Sequence, residues 1–447
     1  MMKIFSRILS LAIALLLIAL PMSLLASCDS SSKGEVTTLY VYNWGEYISD
    51  GSEDTLDSNR AFELWYEYEY GEKIEVVYST YSSNEDMYAK LSGGAVNYDI
   101  IVPSDYMIER LIKEDALATL DYSNIPHAGN LSADFYGKDA KYDYYDEGSV
   151  YSIPYFYGMI GIIYNTTMVD EADIGSWDLM WNDKYTGNIL QFNNSRDALG
   201  TAQYKLGIDV NTDSETEWRA ALAELKSQKS IVQGYVMDEI FNKMEGGSAA
   251  IAAYYAGDFL TMYENNSDLE FFYPEGGTNL YVDAMCIPKT SQNKTAAERY
   301  IDFMLMVDSD FDEGFFDYME DQGVDFYSAA VANAEYTYYA SPNREVVEDP
   351  GYQKTMSDIK PHTVDIASGK ETPSAFELMY DKEALKSATY YQNLTPEKLK
   401  LINELWEELK SDIDVSVVII VICVVIVGAI VGGVTFFGIR KRYRNNY

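Results

Sequence analysis

The sequence predicts an α/β fold followed by one membrane-spanning helix. Between residues 37 and 410, short runs rich in β-branched and aromatic residues alternate with segments of helical periodicity, which is the pattern of strand–helix units. The chain has 447 residues, of which 47% are hydrophobic and 23% are charged, so it can bury the cores of two or three domains. An uncharged stretch over residues 415–439 has the length and apolar character of a transmembrane helix.

The alternating region contains predicted strands and predicted helices in turn. The strands are Thr38–Asn43, Lys73–Tyr78, Asp99–Val102, Met159–Tyr164, Asn188–Phe192, Ala249–Tyr254 and Leu280–Ile287. The helices are Asn59–Tyr70, Tyr106–Lys113, Asp197–Leu206, Glu215–Leu225 and Lys294–Met306. In open α/β sheets the ligand crevice lies beyond the carboxyl ends of the strands, so we expect functional side chains directly after these strands.

The N-terminal end has the layout of a bacterial lipoprotein signal. Two basic residues precede a long uncharged stretch, which is typical of a secretory signal. Its last residues, Leu25–Cys28, resemble the lipobox, in which the cysteine thiol is lipidated and cleavage frees its amino group. We therefore expect a signal peptide over residues 1–28, lipidation of Cys28 and a tether over residues 29–36. The alternative is an ordinary secretory signal with a chance cysteine.

The C-terminal end predicts how the chain is oriented. The span over residues 415–439 is followed by a basic tail over residues 440–447, which the positive-inside rule places in the cytoplasm. Residues 29–412 then face outward, on the periplasmic or outer side of the cell membrane. Gly428 and Gly432 form a GxxxG pattern, which is typical of helix dimers and also common in membrane helices generally. We expect attachment to the membrane through lipid, through this helix, or through both.

The outward-facing part is strongly acidic. Between Asp29 and Asp414 there are 27 Lys and Arg against 71 Asp and Glu, a net charge of −44. A nucleic-acid partner is not expected, because phosphate binding depends on basic side chains, and a cationic ligand is favoured instead. The chain has 3 Cys and 2 His, all far apart, which argues against a disulfide framework, a zinc site or a Ser-His-Asp triad. We predict neither a metal nor a cofactor.

Carboxylates and aromatic rings recur directly after four of the predicted strands. They occur in Asn43–Tyr47, Pro103–Tyr106, Asn193–Asp197 and Tyr255–Asp258. Carboxylates neutralise ammonium groups, and ring faces cover methylene groups while adding roughly 0.5 to 2 kcal/mol of cation–π attraction each. The combination favours an elongated organic polycation as the ligand. Taken singly, each ring is better explained by core packing and each acid by a solvated surface.

Eight longer motifs follow one another in the order found in a known family. They are Leu39–Tyr47, Val77–Glu85, Met87–Leu91, Tyr98–Ser104, Tyr151–Tyr155, Trp177–Leu179, Tyr281–Pro288 and Tyr391–Asn393. Together they resemble the spermidine/putrescine-binding proteins of bacterial polyamine ABC transporters. The resemblance covers about residues 37–410, and several of the motifs are long enough to be specific.

The resemblance implies a type II periplasmic-binding-protein fold, in which two α/β lobes close on a ligand about a hinge. The first lobe would comprise residues 37–157 and 282–346, and the second would comprise residues 158–281 and 347–410. It also implies a binding protein rather than an enzyme. Such a protein captures spermidine or putrescine and delivers it to a permease with a cytoplasmic ATPase.

A ligand-binding set of ten residues is implied by the same resemblance. Glu46 would bind a terminal ammonium group and Asp283 a nitrogen further along the ligand. Asp197 and Gln392 would bind the other end, and Ser104 would add a hydrogen bond. The aromatic members, which would pack against the carbon chain, are Trp44, Tyr47, Tyr106, Tyr255 and Tyr281.

Several positions depart from the family's pattern. Gly45 stands where a polar residue such as Thr is familiar, and Tyr255 and Tyr281 stand where Trp is familiar. Asn194 replaces an acid, and Asp197 is one methylene shorter than the usual Glu. The far end of the site therefore loses a negative charge and some reach, so putrescine stays a serious alternative to spermidine.

The stretch Met306–Val331 looks like an insertion and lies in an acidic run. Asp308–Asp312 begins like a calcium loop, but Glu313 and Met319 occupy the positions where an EF-hand has Gly and Glu. We expect a solvated acidic surface there.

Two other classes of function stay open at this point. A ligand sensor would use the membrane helix to pass on lobe closure, although the tail over residues 440–447 is too short for a signalling domain. A carbohydrate-active enzyme or carbohydrate-binding protein would use paired carboxylates with aromatic rings. No local signature of a nucleophile, a phosphate-binding loop or a metal site supports the enzyme.

Overall fold

The computed structural model of the protein describes residues 36–94, 96–361 and 373–411. The predicted signal peptide, the lipidation site Cys28, the predicted membrane span and the basic tail lie outside these ranges. Within them, no helix combines the length and the apolar character that crossing a membrane requires.

Strands in the described residues form one hydrogen-bonded array. They are β1 (Thr37–Trp44), β2 (Ile74–Tyr81), β3 (Ile100–Ile101), β4 (Ser152–Asn165), β5 (Ile189–Phe192), β6 (Val232–Val236), β7 (Ile251–Tyr255), β8 (Leu269–Phe272), β9 (Asn279–Cys286) and β10 (Thr389–Tyr390). Their order is β2-β1-β3-β9-β4-β7-β5-β6, with β10 paired to β9 and β8 paired to β4. All the predicted strands are present, while β6, β8 and β10 were not predicted.

The long strand β4 divides this array into two sheets. Its first half, up to Met159, pairs antiparallel with β9, and β9 in turn joins β3, β1 and β2. Its second half, from Ile160, pairs antiparallel with β7 and β8, and β7 leads on to β5 and β6. One strand therefore runs through both sheets and joins two lobes, each with its own sheet.

Only the second half of β4 was predicted, because the sequence of the first half is unusual for a strand. It contains Pro154, which cannot donate a ladder hydrogen bond. The structure accommodates this residue with a shift in register between Pro154 and Phe156, so Tyr155 has no partner on β9. Every residue of β4 is buried, as expected for a strand covered on both faces.

Helices cover the faces of both sheets. In the described ranges they are α1 (Ser58–Tyr70), α2 (Asn84–Gly93), α3 (Asp105–Lys113), α4 (Ser195–Leu206), α5 (Glu215–Gln228), α6 (Glu239–Glu245), α7 (Ala256–Asn265), α8 (Lys294–Phe303), α9 (Glu313–Asp321), α10 (Ala329–Thr337), α11 (Arg344–Glu348), α12 (Pro350–Asp358), α13 (Ala375–Met379), α14 (Lys382–Ser387) and α15 (Pro396–Ser411). Polar caps begin several of them: the side chain of Asn194 accepts a hydrogen bond from the Asp197 amide at the start of α4. These caps fix where the chain turns from a strand into a helix.

The acidic stretch Met306–Val331 is more than a solvated surface. The side chain of Asp310 accepts hydrogen bonds from the amide of Val307 and from Asn130 Nδ2, each at 2.9 Å. Phe311 and Phe315 stack with their ring centres 5.1 Å apart, and both contact Phe326. An aromatic cluster therefore stabilises this segment, and some of the acidic side chains in the segment accept hydrogen bonds in local turns.

Candidate functional site

A cavity lies at the carboxyl ends of strands from both sheets. It contains about 760 Å³ of space free of protein atoms, including its solvent-filled mouth. Eight of the ten predicted ligand residues line it: Trp44, Tyr47, Ser104, Tyr106, Asp197, Tyr255, Tyr281 and Asp283. The rule that ligands bind beyond the carboxyl ends of the strands in open sheets therefore locates the cavity correctly.

Three of the lining carboxylates lie in the first turns of helices that follow strands. They are Asp105 on α3, Asp197 on α4 and Asp258 on α7. The free N–H groups and the dipole of a helix N-terminus favour negative charge, so these positions oppose the effect of burial on the three carboxyl groups. The fold thereby concentrates acids from both lobes at one place.

Asp283, on β9, is a buried carboxylate with one oxygen available to a ligand. Its side chain is 4% exposed, and its Oδ2 accepts a hydrogen bond of 2.7 Å from the hydroxyl of Tyr47. Its Oδ1 has no hydrogen-bond partner among the described residues. Burial raises the pKa of Asp283 to about 7, and the hydroxyls of Ser104 and Tyr47 oppose that rise. A buried oxygen without a donor, in a cavity wall, is a site for a hydrogen-bonding cation.

Asp197, from the other lobe, is already held by protein groups. Its Oδ2 accepts hydrogen bonds of 2.7 Å from both Tyr255 Oη and Asn194 Nδ2. Burial raises the pKa of Asp197, while these two donors and the nearby guanidinium of Arg196 oppose the rise. Arg196 itself is buried and lies over the ring of Tyr391, with its Cζ 4.4 Å from the ring centre. This end of the cavity is therefore partly neutralised.

Three more acids line the cavity, although the resemblance did not name them. Burial raises the pKa of Asp258 to about 8, and the neighbouring charges of Asp238, Glu46 and Asp283 add to that rise. Glu85 accepts a hydrogen bond of 3.1 Å from the hydroxyl of Tyr106. The third, Asp238, follows strand β6.

Asp105 is the sixth acidic residue of the lining, and both of its carboxylate oxygens already accept hydrogen bonds from the protein. Its Oδ2 accepts a hydrogen bond of 2.6 Å from Tyr144 Oη, and its Oδ1 one of 2.6 Å from the amide of Tyr106. Burial raises the pKa of Asp105 to about 7.

Asp105 and Asp258 both stand in the strand-end segments singled out from the sequence. Asp238 could not be found this way, because strand β6 was not predicted.

Aromatic rings form the walls between the acids. Tyr281 meets Tyr255 edge to face at 5.3 Å, and Tyr47 meets Tyr339 in the same way at 4.8 Å. Tyr281 fits against β4 only because residue 158 is glycine: a Cβ there would lie 2.3 Å from the tyrosine hydroxyl oxygen. Apolar ring surface next to carboxylates suits a ligand with alternating methylene and ammonium groups.

Two predicted ligand residues, Glu46 and Gln392, are not part of the lining. Glu46 is exposed and has a left-handed backbone with φ of 49°. Partial burial raises the pKa of Glu46, and the nearby charges of Asp50 and Asp238 add to that rise. Gln392 is exposed, while the preceding Tyr391 is buried and lines the cavity. The segment that follows β10 therefore turns Tyr391 toward the cavity and leaves Gln392 in solvent.

Known proteins are similar to this chain in sequence. The profile of the bacterial extracellular solute-binding protein family matches residues 65–311. The spermidine/putrescine-binding periplasmic protein of Salmonella typhimurium is 32% identical over 310 residues, which are 69% of this chain and 81% of that protein. The putrescine/cadaverine-binding protein of Pseudomonas aeruginosa is 30% identical over 306 residues, which are 65% of this chain and 79% of that protein.

Solved structures are similar in fold. A spermidine/putrescine ABC transporter protein from Listeria monocytogenes superposes with a TM-score of 0.64 at 30% identity, over 84% of this chain and 99% of that one. The spermidine/putrescine ABC transporter substrate-binding protein of Streptococcus pneumoniae gives 0.59 at 28% identity, over 84% and 98%. These similarities confirm the predicted α/β fold with two lobes and the resemblance stated from the motifs.

Proposed function

Since the chain belongs to the bacterial extracellular solute-binding proteins, which are binding proteins and not enzymes, we propose that it captures a polyamine between its lobes. The ligand is spermidine or putrescine, the molecules named for several of its relatives. The protein then delivers this ligand to an ABC permease with a cytoplasmic ATPase. Because ligand contacts come from both lobes, binding favours the closed arrangement of the lobes.

The observation that carries this proposal is the unpartnered Oδ1 of the buried Asp283. Among the described residues, the lining around this oxygen contains six acidic side chains and no basic one. One ammonium–carboxylate contact at 4 Å is worth about 4 kcal/mol at an effective dielectric near 20, before desolvation is subtracted. A ligand with several ammonium groups satisfies these acids together, whereas a neutral sugar leaves their charge uncompensated.

The proposal includes attachment to the membrane. Lipidation of Cys28 and a helix over residues 415–439 would hold the binding lobes outside the cell, with residues 440–447 in the cytoplasm. Cys28→Ala should abolish labelling of the protein by a radioactive fatty acid in growing cells. Labelling that persists in this variant would refute the lipid anchor and leave the binding proposal untouched.

Calorimetric titration of the purified full chain in detergent tests the binding proposal. Spermidine, putrescine, a monoamine of similar length and a neutral sugar are each titrated at about 0.15 M salt, so that nonspecific attraction to the acidic surface is screened. We expect saturable one-to-one binding of at least one polyamine, weaker binding of the monoamine and none of the sugar. Absence of saturable polyamine binding would overturn the proposed function.

A further inference from the structure

The mouth of the cavity holds an acid that neither the sequence motifs nor the resemblance assigned. We propose that Asp238 is a specificity-determining residue, which binds the outermost ammonium group of a triamine together with Glu46 and so favours a triamine over a diamine. This inference rests on the proposed function, because it assumes that the cavity takes a polyamine.

Asp238 and Glu46 come from opposite lobes and lie close enough for their charges to interact. Asp238 follows β6 of the second sheet, and Glu46 follows β1 of the first sheet. Residue 45 and the carboxylate of Asp238 are direct neighbours: a Cβ at this position would lie 3.4 Å from Asp238 Oδ2, in van der Waals contact. A branched side chain there would crowd this carboxylate, so Gly45 and the position of Asp238 belong together.

The carboxylate of Asp238 is not committed to the protein. Although Asp238 stands at the start of α6, its side chain makes no capping hydrogen bond. In the described part of the chain, no Lys, Arg or His lies within 4 Å of it. Asp238 is exposed at the rim and lines the cavity, so it is available to a ligand without any rearrangement of a salt bridge.

The mouth acids are continuous with the interior acids. The charges of Asp238 and Glu46 both act on Asp258, and Asp258 is also within reach of the charge of Asp283. Asp238, Asp258 and Asp283 all line the cavity, so carboxyl groups extend from the rim to the buried Asp283, whose Oδ1 has no hydrogen-bond partner among the described residues. A linear polyamine follows such a row with successive ammonium groups.

The opposite end of the cavity is a poorer place for a third ammonium group. Asn194 stands there, and its amide donates to Asp197 Oδ2, which also accepts a hydrogen bond from Tyr255. The buried guanidinium of Arg196 adds a positive charge near this carboxylate. The extra ammonium of a triamine is therefore expected at the mouth and not beside Asp197.

Asp238→Asn in the full chain tests the inference, with spermidine and putrescine titrated separately. We expect spermidine to bind at least tenfold more weakly, while putrescine stays within twofold of the unsubstituted protein. Gly45→Thr should reproduce this pattern by displacing the same carboxylate. Asp268→Asn is the matched control, because Asp268 is an exposed acid of the same lobe outside the cavity lining, and it should change neither affinity.

The outcomes separate this inference from the proposed function. Equal losses for both polyamines, or no loss for either, would overturn the role of Asp238 while the cavity remains a polyamine site. If the unsubstituted protein binds neither polyamine, the proposed function itself fails. Asp238→Glu keeps the charge at the rim and should retain the preference for the triamine, and its loss in this variant would also count against the inference.

Discussion

Asp283 and Asp197 line the same cavity, but the protein treats them differently. In the part of the chain that the structure describes, Asp283 accepts a hydrogen bond from Tyr47 on Oδ2, and its Oδ1 has no hydrogen-bond partner. Asp197 receives two hydrogen bonds on one oxygen and has the buried Arg196 nearby. A carboxylate in a cavity wall is therefore not automatically a ligand-binding group. The groups that already satisfy it decide how much a ligand can gain.

The largest expected effect compares the two acids directly. Asp283→Asn should weaken polyamine binding about 100-fold, because it removes a buried charge whose Oδ1 has no hydrogen-bond partner among the described residues. Asp197→Asn should weaken binding by about tenfold at most, since that carboxylate is already held by protein donors. Titration calorimetry of both variants, with Asp268→Asn as the control, measures the ranking. A larger loss for Asp197→Asn would reverse our comparison.

After these substitutions, the next largest effect is expected from pH: polyamine binding should weaken as the pH becomes acidic. Burial raises the pKa of Asp283 to about 7 and that of Asp258 to about 8, so below these values the empty cavity holds protons that a cation must displace. Affinity should be highest near pH 8 and fall as the pH falls, by about tenfold between pH 8 and pH 6 for Asp283 alone. Titrations in two buffers of different ionisation enthalpy would also detect the released protons. An affinity that is constant over this range would contradict the assignment.

A smaller effect is expected from a change in the aromatic wall of the cavity, at the ring of Tyr281. Gly158→Ala places a Cβ in the space of the Tyr281 hydroxyl, so this ring must move. We expect a loss of stability of about 1 to 3 kcal/mol together with weaker polyamine binding. Gly234→Ala, in strand β6, is the matched control because a Cβ there meets nothing within 4 Å. Thermal unfolding and titration of both variants would show whether close packing of Tyr281 matters.

The smallest expected effect concerns the stability of the empty protein. The native pKa of Asp283 is about 7, above its ordinary value of 3.8, so the folded state holds this proton more tightly than the unfolded chain. The associated stability is present at low pH and is lost as the pH rises through about 7. Asp283→Asn should therefore raise the melting temperature of the empty protein at pH 8 more than at pH 5. An equal shift at both values would show that the charge of Asp283 is not the cause.

Much of the cavity was predictable because strand ends can be recognised locally. Trp44, Asp197 and Tyr255 each stand at or directly after a run of strand-forming residues, and the structure brings them to one place. The placement of Gln392 was not predictable in this way, because it depends on which face of a short extended segment meets the cavity. Asp238 was missed for another reason: β6 contains Gly234 and is only partly buried, so it lacks the pattern of a buried strand.

The fold class, the family and the acidic and aromatic character of the proposed ligand site were all predictable from the amino-acid sequence. These properties depend on residue types and on short-range periodicity. The long-range contacts of the folded chain set the rest: β4 runs through both sheets, the buried Oδ1 of Asp283 has no hydrogen-bond partner among the described residues while Asp197 accepts two hydrogen bonds on Oδ2, and Asp238 faces Gly45. Hydrogen-bond partners and charge proximity depend on contacts between residues far apart in the chain, and a local pattern contains no record of such contacts.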